Sequence, residues 1–233
     1  MIEMTIDPVK LRQVSVFQNA TDDDLKLIAH HASERSIEEG EFFFFQGDPA
    51  IYFYVLISGR AKLMQTNPTG QQVNLRTIYE WQMFGALGAV REDATYPATA
   101  QALEQSTALA VRSDYLRELI LTRPYLSIDL MKLMTTYIQE MQERYRQLAT
   151  EKVERRIAHT LLRLVSQMGA KNPEGGIELT FTRQDLAEMS GTTLYTVSRV
   201  ISEWEKLDIV EAGRERISIR KPHELVKISE GLD

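Results

Sequence analysis

The chain has 233 residues, of which 43% are hydrophobic and 26% are charged, and its formal net charge is −6 at pH 7. This composition is typical of a soluble globular protein with two modest domains, and it argues against disordered, collagen-like and membrane-spanning classes. Cysteine is absent, which excludes disulfides, thiolate zinc sites and cysteine-held iron–sulfur clusters. The first residues lack the basic-then-apolar pattern of a signal peptide, so we expect a cytoplasmic protein without a membrane partner.

A short helix and then a series of strands are predicted for the first half of the chain. Thr21 is a typical N-cap for a helix over Asp22–Ala32. Between residues 36 and 112, short apolar or alternating runs about ten residues apart predict a β-sandwich or jelly roll. A turn is predicted at Asn67–Gly70. The predicted strands are Glu41–Phe45, Phe53–Ile57, Ala61–Gln65, Val73–Ile78, Thr99–Leu103 and Thr107–Val111.

Helix-forming residues without turn signals run from Tyr125 to Met168, and Pro124 suits the first helical turn. We therefore predict a long helix followed by a second one. Apolar residues recur in the long helix at alternating steps of four and three, with Arg144 as a polar exception. This pattern favours a homodimer through paired helices, and packing on the chain's own β domain is the alternative. The predicted dimer residues are Leu130, Met134, Tyr137, Met141 and Leu148.

The heptad register breaks at Ala149–Val153, where we predict a hinge. A new amphipathic helix follows, and the glycines and proline within residues 169–176 predict a loop. The expected domains are a β-roll sensor over 1–122, a dimerisation helix with its hinge over 123–152, and a DNA-binding domain over 153–233.

Two helices joined by a glycine turn are predicted near the C-terminus. Thr182 and Asp185 have the spacing of a helix cap, Gly191 suits a sharp turn, and Thr192 or Thr193 would cap the second helix. The second helix would bury one apolar face, consisting of Val197, Val200, Ile201 and Trp204.

The opposite face of that helix carries groups that can contact base edges and phosphates in a major groove. They are Tyr195, Thr196, Ser198, Arg199 and Ser202. A helix pair of this kind also occurs in proteins that contact only other proteins, which is the alternative. A hairpin over 209–220 would add a wing, with Arg214 and Arg216 as candidate phosphate contacts.

In this order of elements, the chain resembles the family of the catabolite activator protein and the fumarate and nitrate reduction regulator. The matching motifs are Gln46–Asp48, Leu56–Gly59, Arg156–Ala158, Thr182–Ala187 and Thr196–Arg199. The resemblance implies an α+β fold with a cyclic-nucleotide-binding-type β-roll (jelly roll), a long dimerisation helix and a winged helix-turn-helix. It also implies a homodimeric transcription activator on a palindromic double-stranded DNA operator, with RNA polymerase as a partner.

The same resemblance assigns individual contacts to DNA. Arg199 matches the arginine that reads a base, expected to be guanine. Ser198 matches a position used by the fumarate and nitrate branch. Tyr195 replaces the glutamate that usually reads cytosine, so the operator sequence is not predicted. The predicted DNA-binding residues are Arg199, Ser198, Tyr195, Thr196, Thr182, Arg183, Gln184 and Thr193.

The cyclic-AMP branch holds its ligand with a glutamate and an Arg-Ser pair, whose positions here are Ala86, Tyr96 and Pro97. Its adenine-contacting Thr-Ser pair corresponds to Met141 and Gln142. Burying a phosphate without an arginine leaves an unpaired charge, so we do not expect cyclic AMP to be the effector. The predicted effector pocket contains Gly85, Ala86, Leu87, Tyr96, Thr99 and Met141, and no metal site or catalytic residue is predicted.

The string Ala98–Ala102 resembles the branch that regulates nitrate and nitric-oxide respiration, whose members are thought to sense through haem. A haem-based sensor of nitric oxide or carbon monoxide is therefore one alternative, with His30 and His31 as candidate ligands. The effector could otherwise be a small apolar or acidic metabolite, or the protein could have no effector. A further alternative is a ligand-binding protein whose C-terminal domain contacts only proteins. The sequence contains no nucleophile–base set or phosphate loop, so we do not expect an enzyme.

Overall fold

The structure is a computed structural model that describes residues 6–67, 72–168, 170–171, 177–213 and 215–232. The chain divides into two compact units, Met1–Gln139 and Glu140–Asp233. The first unit carries the predicted strands and the second carries the predicted helix-turn-helix. None of the described helices has the length and apolarity needed to cross a membrane.

The N-terminal unit begins with two short 3-10 helices, at Pro8–Gln13 and Ser15–Phe17, followed by helix α1 at Asp22–His30. The Thr21 hydroxyl accepts a hydrogen bond from the Asp24 backbone nitrogen at 3.2 Å, which confirms the predicted N-cap. The helix ends two residues earlier than predicted, because Ala32 already belongs to the first strand.

The described strands of this unit pair antiparallel in two four-stranded sheets, with orders β1-β8-β3-β6 and β2-β7-β4-β5. The strands are β1 (Ala32–Ile37), β2 (Phe42–Phe44), β3 (Tyr52–Ser58), β4 (Ala61–Thr66), β5 (Gln72–Ile78), β6 (Met83–Phe84), β7 (Thr99–Ala102) and β8 (Ser106–Arg112). A one-turn helix, α2 (Leu87–Val90), lies between β6 and β7. The six predicted strands are confirmed, each within one residue at either end, and most of the turn predicted at Asn67–Gly70 lies outside the described residues.

Strand β3 is apolar along most of its length because both of its faces are buried. Phe53 and Val55 belong to a core shared with α1 and the following helices, whereas Tyr54 and Leu56 belong to a second core inside the roll. Side chains alternate across a strand, so a strand buried on both faces is a continuous apolar run. Sequence analysis missed β1, because most of its residues are polar and exposed at the edge of the sheet.

The chain leaves the roll through α3 (Ser113–Thr122) and the 27-residue helix α4 (Pro124–Thr150). A second helix, α5, covers Val153–Met168, so the helices break inside the segment predicted to be a hinge. The prediction of a long helix followed by a second is confirmed.

The C-terminal unit combines α5 with three further helices and a small antiparallel sheet of order β11-β12-β10-β9. These elements are β9 (Ala170–Lys171), β10 (Ile177–Thr180), α6 (Arg183–Ser190), α7 (Leu194–Lys206), β11 (Val210–Ala212), β12 (Arg216–Ile219) and α8 (Pro222–Glu230). The loop predicted over 169–176 is wrong for Ala170 and Lys171, which pair with β10, and its other residues lie outside the described ranges. The predicted hairpin is confirmed as β11 and β12.

Candidate functional site

Helix α6, a glycine turn and helix α7 form the helix-turn-helix. The Thr182 hydroxyl accepts from the Asp185 backbone nitrogen, and the Asp185 carboxylate accepts from the Thr182 backbone nitrogen, each at 3.0 Å. This reciprocal cap fixes the start of α6. Gly191 ends it with φ +63°, a left-handed conformation that glycine adopts without strain.

Helix α7 is capped by Thr193, whose hydroxyl accepts from the Thr196 backbone nitrogen at 3.2 Å. Of the two predicted candidates for the helix cap, Thr192 and Thr193, the structure therefore selects Thr193. The predicted apolar face is confirmed, because Val197, Val200, Ile201 and Trp204 are all buried in the core of this unit. The other face of α7 is therefore held outward by packing on the inner face.

The outward face presents the predicted base-reading groups. Tyr195 is 79% exposed in the first turn of α7, and Ser198 is partly exposed. The Arg199 guanidinium lies between two carboxylates, with Nη2 3.3 Å from Glu154 Oε1 and Nη1 3.1 Å from Glu203 Oε1. Hydrogen bonding to Glu154, followed by the charge of Glu203, raises the pKa of Arg199.

The other predicted DNA-binding residues differ in what they already bind. Thr182 is occupied by its helix cap, and the Thr196 hydroxyl lies 2.9 Å from that of Thr193. Gln184 is exposed and donates to Glu188 at 3.0 Å. The guanidinium of Arg183 instead faces α7, with Nη2 3.8 Å from Glu205 Oε2.

The hairpin supplies an exposed arginine beside the helix pair. Arg216 Nη1 lies 3.8 Å from Glu178 Oε2 and most of its side chain is exposed, so it can still contact a phosphate. Arg214, the other predicted contact, lies outside the described residues.

Arg156 fixes the turn of the helix-turn-helix to the start of α5. Its guanidinium donates to the carbonyl oxygens of Glu151 at 3.0 Å, Ser190 at 3.2 Å and Gly191 at 3.2 Å. These carbonyls belong to the end of α6 and to the helix break, where backbone acceptors lack helical partners. Arg156 belongs to a motif of the sequence, but its role was not predicted. Its contact with Ser190 joins residues 34 positions apart, which no local pattern reveals.

Tyr96, one of the predicted effector-pocket residues, lies in an aromatic cluster inside the β-roll. Tyr96 is buried and stacks on Phe44 with ring centroids 3.7 Å apart and planes 13° apart. Its hydroxyl donates to the Tyr52 carbonyl at 2.6 Å and accepts from the Tyr52 nitrogen at 3.2 Å. Burial raises the pKa of Tyr96, so it stays neutral. A Cβ on Gly85 would lie 3.1 Å from Phe44 and 3.2 Å from Tyr96, which shows how closely these rings pack.

The other predicted pocket residues lie outside the aromatic cluster of Tyr96. Ala86 and Leu87 lie at the start of α2, and the Thr99 hydroxyl accepts from the Gln46 nitrogen at 3.0 Å. Met141 is exposed and belongs to the C-terminal unit. The sequence pattern did not reveal the aromatic cluster that Tyr96 joins through Phe44; its other rings are Phe43, Tyr54 and Phe84.

These residues do not fit the phosphate of a cyclic nucleotide. Tyr96 stands at the position of the phosphate-binding arginine of the cyclic-AMP branch, and its uncharged hydroxyl is hydrogen-bonded to the backbone. The candidate haem ligands also lie outside this aromatic cluster. His30 and His31 are exposed, and the His31 ring packs on Tyr115 with centroids 4.1 Å apart. His159 and His223 belong to the other unit, so the aromatic interior of the roll contains no histidine among the described residues.

Asn74 on β5 is a buried polar residue of the same unit. It is 4% exposed, and neither its amide nitrogen nor its amide oxygen has a hydrogen-bond partner among the described residues. We expect Asn74→Leu to raise the free energy of unfolding by about 1–2 kcal/mol, because it removes unsatisfied buried polar atoms at nearly constant volume. Denaturant melts measure this. A destabilised variant would show instead that a bound water or ligand satisfies the amide.

Comparison with known proteins supports this reading. A family model described as a cyclic nucleotide-binding domain matches residues 34–123, and one described as a Crp-like helix-turn-helix domain matches residues 155–228. The anaerobic regulatory protein of Pasteurella multocida is 30% identical over 203 residues, covering 84% of this chain and 71% of that protein. The global nitrogen regulator of Synechococcus elongatus is 26% identical, covering 79% and 84%.

Among solved structures, FixK2 from Bradyrhizobium japonicum has a similar fold, with a TM-score of 0.74, 19% identity, and coverage of 84% of this chain and 96% of that one. The β-roll, the long helix and the helix-turn-helix define a DNA-binding transcription regulator. The chain belongs to the CRP/FNR family of such regulators, as its sequence motifs predicted.

Proposed function

We propose that the chain binds a palindromic DNA operator as a homodimer and activates transcription in response to a signal other than cyclic AMP. The observation that carries the proposal is the outward face of α7, where Tyr195, Ser198 and Arg199 surround the capped start of a helix. A helix presented in this way enters the major groove and reads base edges with its first turns. RNA polymerase would be the partner in activation, and the cytoplasm, where the operator is accessible, would be the location.

The proposed dimer face is an exposed apolar stripe on α4. Leu130 packs against the core of its own unit, and the Tyr137 ring lies 3.9 Å below the Arg76 guanidinium. Both side chains therefore have partners within the chain. The remaining apolar residues recur at alternating steps of three and four and are 50–74% exposed: Met131, Met134, Ile138, Met141, Tyr145 and Leu148.

This stripe, which we call the α4 seam, has the heptad spacing of paired helices. It retains Met134, Met141 and Leu148 from the sequence prediction, and it omits Arg144, the polar exception of that prediction. A second copy of the chain is the occupant that its symmetry favours. We also propose the domain limits 1–122, 123–152 and 153–233, which are supported by the helix break between Thr150 and Val153.

The aromatic interior of the roll supports the exclusion of cyclic AMP, because Tyr96, stacked on Phe44, stands where the cyclic-AMP branch has its phosphate-binding arginine. The unpartnered amide of Asn74 is a polar group that a small effector could bind. Native mass spectrometry of the purified protein tests whether an effector copurifies. A bound cyclic nucleotide would contradict the proposal.

The function is tested by selecting operators from random DNA with the purified protein and measuring affinity at several salt concentrations. We expect a two-fold symmetric motif with half-sites about one helical turn apart, ~34–36 Å. The alternative, a C-terminal domain that contacts only proteins, predicts no enriched sequence and no salt-dependent binding.

Replacing Arg199 with alanine should weaken operator binding by about 5- to 150-fold per half-site, which is the usual discrimination of a bidentate arginine–guanine contact. Binding to unrelated DNA should change little. Arg91→Ala is the matched control, because Arg91 is an exposed arginine on the β-roll, paired with Asp93. Unchanged operator affinity for Arg199→Ala would remove Arg199 from base recognition.

A further inference from the structure

Arg199, the proposed base-reading residue, is held by the chain's own carboxylates. Glu203 lies one turn further along α7, and Glu154 lies in the first turn of α5, 45 residues away in sequence. Each carboxylate contacts a different terminal nitrogen of the guanidinium, at 3.1 and 3.3 Å. The arginine thus has an ordered position when no DNA is bound.

That position competes with recognition of guanine. A guanidinium reads guanine by directing two N–H groups from one edge to O6 and N7 of the base. Both terminal nitrogens are already engaged here, and their carboxylates would come close to the DNA phosphates. The carboxylates hold two of the five N–H groups and fix the direction of the guanidinium, so the bidentate contact with guanine competes with these pairs.

We propose that Glu154 and Glu203 set the affinity for the operator by competing with guanine for Arg199. The proposal rests on the proposed function of α7. Glu203 follows from helical i,i+4 spacing, which commonly pairs opposite charges. The contact between Glu154 and Arg199 does not follow from helical spacing. It joins α5 to α7, so it forms only when this unit is folded.

The size of the effect follows from the exposure of the groups. All three side chains are between one third and just over one half exposed, so each pair stabilises the free protein modestly. Removing both carboxylates should therefore strengthen operator binding by about 3- to 10-fold through release of Arg199. Loss of two negative charges near phosphates adds a further gain that does not depend on Arg199.

A double-mutant cycle separates the two contributions. Operator affinity is measured at fixed salt for the wild type, Arg199→Ala, Glu154→Gln with Glu203→Gln, and the triple variant. Glu224→Gln, on α8, is the control for removal of one negative charge from this unit, because its carboxylate pairs with Lys227 and not with a predicted DNA-binding residue. Thermal melts confirm that the variants fold, and glutamine preserves the shape of each side chain.

We expect the glutamine variants to bind the operator more tightly, with most of that gain lost in the Arg199→Ala background. An equal gain in both backgrounds would overturn the proposal, because only charge would then matter. Weaker binding by the glutamine variants would overturn it too, since the carboxylates would then orient the arginine for recognition. If the wild type selects no operator at all, the proposed function itself fails.

Discussion

A chain carrying Ile138→Lys and Met141→Lys is expected to be monomeric and to bind its operator at least about 100-fold more weakly than the wild type. Both residues belong to the α4 seam, where they are exposed on the single chain. A two-fold interface repeats each substitution, so four ammonium groups would enter one apolar layer. Burying unpaired charges costs far more than the seam gains from its remaining apolar contacts.

DNA binding weakens because a monomer has only one recognition helix for an operator with two half-sites. A dimer holds its second recognition helix at a high effective concentration over the second half-site, and a monomer does not. Light scattering measures the mass, and operator titration measures the affinity. Leu121→Lys is the control: Leu121 is an exposed leucine on α3, outside the seam. A double-lysine variant that remains dimeric would show that the copies pair through another surface.

The helix-turn-helix was predictable in detail, because its signals are local. Thr182 and Asp185 are three residues apart, Gly191 needs a left-handed backbone, and the apolar residues of α7 follow helical spacing. The strands of the roll were predictable for the same reason, since turn residues separate apolar runs. Each signal lies within one element or one turn.

The parts that escaped prediction depend on partners distant in sequence. Spacing alone could not show that Leu130 and Tyr137 also contact residues of their own unit, because a core position and a dimer position look alike on a helix. The aromatic packing around Tyr96 joins four strands or loops. The pair between Glu154 and Arg199 crosses 45 residues, so only the folded unit reveals it.

Replacing Asp24 with asparagine is expected to lower the free energy of unfolding by roughly 1.5–3 kcal/mol, because a buried carboxylate loses charge-assisted hydrogen bonds while Arg123 remains partly exposed. Asp24 is 1% exposed in α1. Its carboxylate accepts hydrogen bonds from Arg123 Nε at 2.9 Å, from the Tyr125 hydroxyl at 2.5 Å and from the Thr21 hydroxyl at 2.8 Å. These bonds join α1 to the α3–α4 junction, and asparagine cannot supply the charge that compensates Arg123.

The pH dependence of stability gives a second test of the same residue. Burial raises the pKa of Asp24, but the hydrogen bonds from Tyr125, Thr21 and Arg123 outweigh it, and the net pKa lies below the model-peptide value of 3.8. A carboxyl with a lowered pKa stabilises the fold above its unfolded pKa, and this stabilisation is lost as pH falls through the folded pKa. The wild type should therefore lose stability below about pH 4 more steeply than Asp24→Asn.

Asp23→Asn is the matched control for both measurements. Asp23 is the preceding residue, and its exposed carboxylate pairs only with Lys26 at 3.3 Å among the contacts described, so its loss should cost less than about 0.5 kcal/mol. Urea melts at pH 7 and at pH 3–4 compare the three proteins. Equal stability of the two variants at pH 7 would show that the Asp24 cluster contributes no more than a surface pair, because the loss of one negative charge is common to both.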